Sequence, residues 1–321
     1  KGRLGILQVH SKKTPLSNDV DLSLIAQATP GFTGADLENL INEAALIAAR
    51  GNCKEINMSH CESAKDKVLM GAERRSMIMS EKEKKNTAYH EAGHALCGLM
   101  TEGCDPVHKV TIIPRGQALG VTIMLPKEDR LSLSMEYALG MIVYAMGGRA
   151  AEELMFDGRT TGASDDIKKA TDIARKMICQ WGMSEKIGPL SVGKREEEVF
   201  VGRGVNSHEI YSEKVAQEVD AEIHRIVSDG YSKALNILKT NKEKLVAIAE
   251  ALLIKETLHK SEIERLMKGE NVVSDEEMKA YEKRIEIANS WNSVPTDESQ
   301  NSPSDSSDEQ TPSDDNLART T

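Results

Sequence analysis

Apolar positions along this chain recur mostly at the three- and four-residue spacing of helices. Thr33 caps a predicted helix through Ala35, Leu37, Leu40, Ile41, Ala44, Ala45 and Ala48, with Gly51 just past its end. Ser59-His60-Cys61-Glu62 reads as a capping box opening a helix that Gly71 closes. Ser80-Glu81-Lys82-Glu83 is another, and the helix it opens carries Ala88, Ala92, Ala95, Leu96 and Leu99 as its apolar stripe, with Gly103 as terminator. Residues 134–156 predict a long helix, interrupted or closely packed at Gly147-Gly148. Ser164 caps the next, whose stripe is Ile167, Ala170, Ala174, Met177, Ile178 and Trp181 up to Gly182. Residues 207–268 read as helical throughout. One stripe there is Val215, Val219, Ile223, Ile226 and Val227; another is Leu245, Ile248, Ala249, Leu252 and Leu253. Ser261-Glu262-Ile263-Glu264 caps a last short helix.

The period changes to two in only one place. Val107, Thr111 and Ile113 alternate with Lys109 before a turn at Pro114-Arg115-Gly116, and residues 120–125 form a second short strand stopped by Pro126. A small sheet is expected, whose free edge could take up an extended peptide by strand addition. From about residue 290 the chain turns to Ser, Asp, Pro, Thr and Asn, a composition that cannot bury enough apolar surface to order itself.

Composition narrows the class. A net charge of −10 argues against a general nucleic-acid binder. Aromatic residues are only 3%, so the helices must pack through small and flexible side chains. The longest apolar run, 138–146, is too short to span a bilayer. Five cysteines without paired spacing point to a reducing compartment rather than a disulfide framework. The chain starts Lys1-Gly2-Arg3, without an initiator Met or a targeting segment, and looks like a piece of a longer protein.

Candidate chemistry sits on the third predicted helix. His90-Glu91-Ala92-Gly93-His94 places two imidazoles four residues apart on one helix face, where they can share a metal ion. Glu91, about 100° around the axis, is free to act as general base toward a water on the metal. On a helical projection both histidines fall opposite the apolar stripe, so the alternative is a pair of solvated surface residues. Zinc in a hydrolase takes three protein ligands and one open position. Asp165, Asp166, Glu152, Glu153 and Cys97 are all candidates for the third ligand, and spacing does not choose among them. The acids at 165 and 166 could equally serve a helix dipole, and Cys97 reads as a packing residue. His108 is expected to be structural, and His208, His224 and His259 surface residues.

Several blocks together resemble one family. Gly2-Arg3-Leu4-x-Ile6-Leu7-x-Val9-His10, the stretch 29–37 and Asn42-Glu43-Ala44-Ala45-Leu46 resemble the helical lid of an AAA ATPase of the FtsH type. His90-Glu91-Ala92-Gly93-His94, the block 147–153, Thr161-Gly162-Ala163-Ser164-Asp165-Asp166 and Trp181-Gly182-Met183-Ser184 with Gly188-Pro189-Leu190 resemble that family's peptidase domain, in the family's order.

This resemblance, which covers roughly residues 1–270, implies a mainly α fold: a helical lid subdomain at 1–76 and a mostly helical zinc-peptidase domain with a small sheet at 77–275; composition makes 276–321 a largely disordered acidic extension. It implies that Asp166 is the third ligand beside His90 and His94, with one Zn²⁺ per subunit, although Asp165 stands where the family commonly has asparagine. It implies that His10, Gly34 and Ala35 border an adenine. No G-x-x-x-x-G-K-[ST] loop is present, so ATP and Mg²⁺ are expected only in a longer parent. The implied activity is hydrolysis of unfolded polypeptides by a homo-hexamer. Its anchor would be membrane segments absent from this chain, at the cytoplasmic face of a bacterial inner membrane. Two rivals are a catalytically inactive protease-like scaffold, against which the intact Glu91 argues, and a hydrolase of small amides, against which the lid residues argue.

Overall fold

Local capping sets out most of the helices. The computed structural model describes residues 1–74, 77, 79–116, 118–126, 132–156, 158, 160–192 and 212–292. In the N-terminal part, α1 (Gly2–Ser11), α2 (Leu22–Gln27), α3 (Gly34–Arg50) and α4 (Met58–Met70) enclose a core of Leu7, Ile25, Leu37, Leu40, Ile41, Ala44, Ile56 and Cys61. Thr33 caps α3 as expected, and the cap is a full box: the Thr33 hydroxyl accepts from the Asp36 amide while Asp36 accepts from the Thr33 amide. For α4 the cap is Asn57 and not Ser59, with His60 as its reciprocal partner. The Asn57 side-chain oxygen reaches the His60 amide, and the Ser59 hydroxyl only donates to it.

The second set of elements begins with α5 (Glu81–Met100), capped by Ser80 and Glu83. Then come β1 (Val107–Thr111), β2 (Val121–Met124), α6 (Met135–Phe156), α7 (Ser164–Cys179), α8 (Glu213–Thr240), α9 (Lys242–Lys255), β3 (Thr257–His259) and α10 (Lys260–Met267). The strands form an antiparallel sheet in the order β2-β1-β3. Val110 pairs with Thr122 on one side and with Leu258 on the other, and a bulge lies between Val107 and Lys109. The third strand interrupts a region expected to be wholly helical; three residues are too few to show a period of two. Likewise α10 starts at Lys260, with His259 and Glu262 in the capping positions instead of Ser261.

The packing that matters most for the site is between α5 and α6. A Cβ on Gly93 would lie 2.4 Å from the Gly147 carbonyl oxygen, and one on Gly147 would lie 2.6 Å from that of Gly93. The two backbones therefore touch, which only glycine at both positions permits. Gly147-Gly148 leaves α6 unbroken. With α6 against one face and the Ala88, Ala92, Ala95 and Leu96 stripe buried on the other, the middle of α5 has no solvated side. Every residue from Thr87 to Gly98 is buried except His90, which is partly so.

A cluster of buried charges joins α4 to the sheet. Lys109 of β1 ion-pairs with Asp66, Arg115 pairs with Glu73 and lies 3.9 Å from Asp66, and Lys65 pairs with Glu62. The Arg74 amide donates to the Pro114 carbonyl, and the Arg74 guanidinium to that of Gly116.

Residues Lys1–Glu277 form one compact unit and Met278–Thr321 a second. The helix α11 (Asp275–Asn292) occupies the start of the stretch expected as a tail. The expected disorder beyond it lies outside the described residues. No helix among the described residues is long and apolar enough to cross a membrane.

Candidate metal centre

The close approach of α5 and α6 turns the two histidines into a helix–helix interface and so removes the surface alternative. His90 and His94 side chains retain only 11% and 6% of their exposure. Gly148 makes room for them: a Cβ there would stand 2.5 Å from the His90 ring and 2.6 Å from His94 Nε2.

Each imidazole is oriented through Nδ1. His94 Nδ1 lies 2.8 Å from the Tyr144 carbonyl oxygen, which can only accept, so Nδ1 carries the proton. His90 Nδ1 lies 2.8 Å from Glu152 Oε1 and donates in the same way. Both Nε2 lone pairs are thereby turned toward one point. Asp166 Oδ2 completes the group, 3.1 Å from His90 Nε2 and 3.2 Å from His94 Nε2; the two nitrogens are 3.0 Å apart.

Asp166 arrives from the start of α7. The Thr160 hydroxyl accepts from the Gly162 amide, closing a 3-10 turn (Thr161–Ala163), and buried Ala163 feeds directly into the helix. Ser164 is thus the first residue of α7 and not its cap. Glu152 ties this turn to the histidines. Its second oxygen accepts from the amide and hydroxyl of Thr160, at 3.3 Å and 3.0 Å, while the first holds His90.

Of the other third-ligand candidates, Glu152 meets His90 at Nδ1 and not at Nε2, and the rest are elsewhere. Asp165 is exposed, Glu153 pairs with Arg149 at 3.4 Å, and Cys97 is buried with its thiol against the Ala234 carbonyl. Burial pushes the Cys97 thiol up to about 12, far from a thiolate. Among the described residues, His90, His94 and Asp166 are the group able to hold a metal ion.

The donor set fits a zinc-type cation. Three acceptors without a shared proton repel one another, and two imidazoles with one carboxylate is a common set for such an ion. Ligands at about 2.0–2.2 Å in a tetrahedron sit roughly 3.3–3.6 Å apart, close to the spacing found. Burial opposes charge on His90, but hydrogen bonds to Asp166 and Glu152 outweigh it and raise that imidazole to about 10. Burial likewise opposes charge on Asp166, yet contact with both imidazoles holds its carboxyl well below the usual range.

Glu91 follows His90 on the same helix. It is 5% exposed, and its Oε2 accepts from the Thr122 hydroxyl at 2.7 Å. Gly120 closes over it, since a Cβ there would lie 2.8 Å from Oε1. Thr122, Tyr144, Gly148 and Thr160 were not singled out as site residues by sequence reasoning. Of these only Gly148, in a glycine pair within a helix, left a local signal.

The residues expected at an adenine belong to α1 and α3, not to the helices of the metal centre. His10 lies in the last turn of α1 with Nδ1 3.8 Å from Glu38 of α3, one turn beyond Gly34 and Ala35. His108 Nε2 stands 3.9 Å from Glu62. His224 and His259 are exposed, and His208 lies outside the described residues.

Comparison with known proteins agrees with this geometry. The family model for peptidase family M41 matches residues 77–266, and that for the AAA+ lid domain matches residues 19–63. The chain is 56% identical over 269 residues to "ATP-dependent zinc metalloprotease FtsH" of Myxococcus xanthus, covering 84% of this chain and 42% of that protein. It is 53% identical over 284 residues to "ATP-dependent zinc metalloprotease FtsH 1" of Bdellovibrio bacteriovorus, covering 88% and 44%. A Thermoanaerobacter protein named "ATP-dependent zinc metalloprotease FtsH 1" is 50% identical over 272 residues, covering 85% and 44%. The chain spans less than half the length of these relatives. It belongs to peptidase family M41, with an AAA+ lid preceding the peptidase region.

Proposed function

We propose that this chain is the proteolytic portion of an ATP-dependent zinc metalloendopeptidase. Residues 1–76 serve as lid, 77–275 as peptidase domain and 276–321 as extension. The observation that carries the reading is the convergence of three acceptor atoms, two of them on imidazoles whose Nδ1 sides are already committed, next to a buried carboxylate held by its own hydroxyl partner. His90, His94 and Asp166 hold one Zn²⁺ per subunit. Bound there, the ion supplies Lewis-acid polarisation of a peptide carbonyl and brings the pKa of a water toward neutrality. Glu91 takes the proton of the attacking water and returns it to the departing amine nitrogen. Tyr144 and Glu152 keep the imidazoles in the tautomer that presents Nε2. An intact, buried base has no use in an inactive scaffold, so that alternative gains no support.

Substrates are unfolded polypeptides, including unassembled membrane proteins and short-lived soluble ones. The edge strand β2 offers main-chain groups to an extended peptide. In the longer protein, His10, Gly34 and Ala35 border the adenine of an ATP–Mg²⁺ pocket whose phosphate-binding half lies outside this chain. A homo-hexamer anchored by membrane segments beyond this chain, at the cytoplasmic face of the inner membrane, is the assembly that family membership favours; no nucleic acid takes part.

The test is zinc content and cleavage of unfolded casein by the purified chain. Glu91→Gln should keep its zinc and lose cleavage, whereas His90→Ala should lose both. A Glu91→Gln chain that cuts casein at the full rate would remove Glu91 from the mechanism.

A further inference from the structure

We infer that Thr122 is a positioning residue for the general base, and that Tyr144 couples it to the metal ligands. This rests on the proposed role of Glu91. The base sits on α5, but what holds its carboxylate comes from β2. Thr122 is buried and pairs with Val110, so its side chain faces α5 while those of Val121 and Ile123 point to the other side of the sheet. Its hydroxyl has one proton and two acceptors in reach, Glu91 Oε2 at 2.7 Å and the Glu91 carbonyl oxygen at 3.2 Å. The shorter contact is to the charged acceptor, which forms the stronger bond.

That bond occupies one carboxylate oxygen and stops rotation about the terminal torsion, which in a free glutamate is broad and nearly two-fold. The other oxygen, Oε1, is confined by the bare backbone at Gly120; a Cβ there would also lie 2.7 Å from Glu91 Cγ. One oxygen is therefore tied down and the other confined beside Gly120. A base held in this way has less orientation to lose when it meets a water.

The strand is itself fixed from α6. The Tyr144 hydroxyl donates to the Thr122 carbonyl at 2.9 Å, while the Tyr144 carbonyl accepts from His94 Nδ1. One residue thus sets both the tilt of a metal ligand and the height of the strand that holds the base. Displacement of β2 would move the base relative to the histidines without breaking either group.

The experiment uses the full chain with zinc and a quenched fluorogenic peptide. Thr122→Val should lower kcat by about tenfold to a hundredfold, the scale of one hydrogen bond to a charged group. KM and zinc content should stay unchanged, and Thr122→Ser should restore kcat. Thr122→Ala, which puts no methyl group against the carboxylate, should show the same kcat loss if Thr122→Val folds poorly. In a Glu91→Gln background, Thr122→Val should cost no further activity. Full kcat in both Thr122→Val and Thr122→Ala, with Glu91→Gln inactive, would overturn the positioning role alone. Full kcat in Glu91→Gln as well would overturn the general-base reading beneath it. Zinc loss in Thr122→Val that Thr122→Ser does not repair would make the residue merely structural and also overturn the inference.

Discussion

Two buried clusters of charge among the described residues are built on opposite plans. At the junction of α4 and the sheet, Asp66 keeps 1% of its side-chain exposure and faces Lys109 and Arg115, with Glu73 and Glu62 answering Arg115 and Lys65. Each acid there has a cation from the chain itself. At the metal centre Asp166 faces two imidazoles whose Nδ1 protons are already given away, and Lys169 reaches only its Oδ1, from the solvent side at 3.7 Å. The positive charge that Oδ2 and the two Nε2 atoms require has to come from outside. A buried acid is therefore not in itself a sign of function; the sign of the charge left unanswered is. The junction is not fully satisfied either, since Asp66 Oδ1 and Arg115 Nε have no hydrogen-bond partner, but that shortfall is in hydrogen bonds and not in charge.

This contrast breaks most sharply at Gly148. Gly148→Ala should abolish zinc binding and cleavage together, because its Cβ would occupy the space of both rings; metal analysis after dialysis and casein cleavage check it. Next comes the junction. Asp66→Asn should leave zinc content intact and cost about 3–5 kcal/mol of stability in urea unfolding, because it strands buried cations. The double replacement Asp66→Leu with Lys109→Met should recover much of that loss.

A smaller effect is expected at Glu152. Glu152→Gln should weaken zinc binding about 10–100-fold, read by chelator competition, while leaving the fold intact. The smallest concerns pH. Burial would raise the Glu62 carboxyl, but the His108 imidazole 3.9 Å away and the neighbouring Lys65 outweigh it and bring it down to about 2 from an ordinary 4.5. Its folded-state value is depressed, so its contribution is complete above pH 4.5 and disappears as pH falls toward 2. The urea midpoint of Glu62→Gln should accordingly show a shallower decline than the parent between those limits.

What could be read from residues alone follows the reach of each interaction. The caps at Thr33 and Ser80 are three-residue devices and were legible, as was the pair of histidines. Caps at Ser59, Ser164 and Ser261 were misplaced because several capable residues adjoin one another, and the path by which the chain enters the helix decides which is used. The start of α11 carries a box from Ser274 to Glu277 that went unread, because its charged face offers little apolar period. Asp166 was reached only through family resemblance, because spacing along the chain does not report which loop meets α5. The placing of Tyr144 and Glu152 against the histidines depends on the contact of Gly93 with Gly147, a feature of two helices together and not of either alone, and that of Thr122 on where β2 meets α5.

The most direct measurement is the zinc content of the full chain beside Asp166→Ala and Asp66→Ala, each dialysed against a weak chelator. The account predicts a single zinc per chain in the parent and in Asp66→Ala, and none in Asp166→Ala. Zinc retained at full stoichiometry by Asp166→Ala would contradict it.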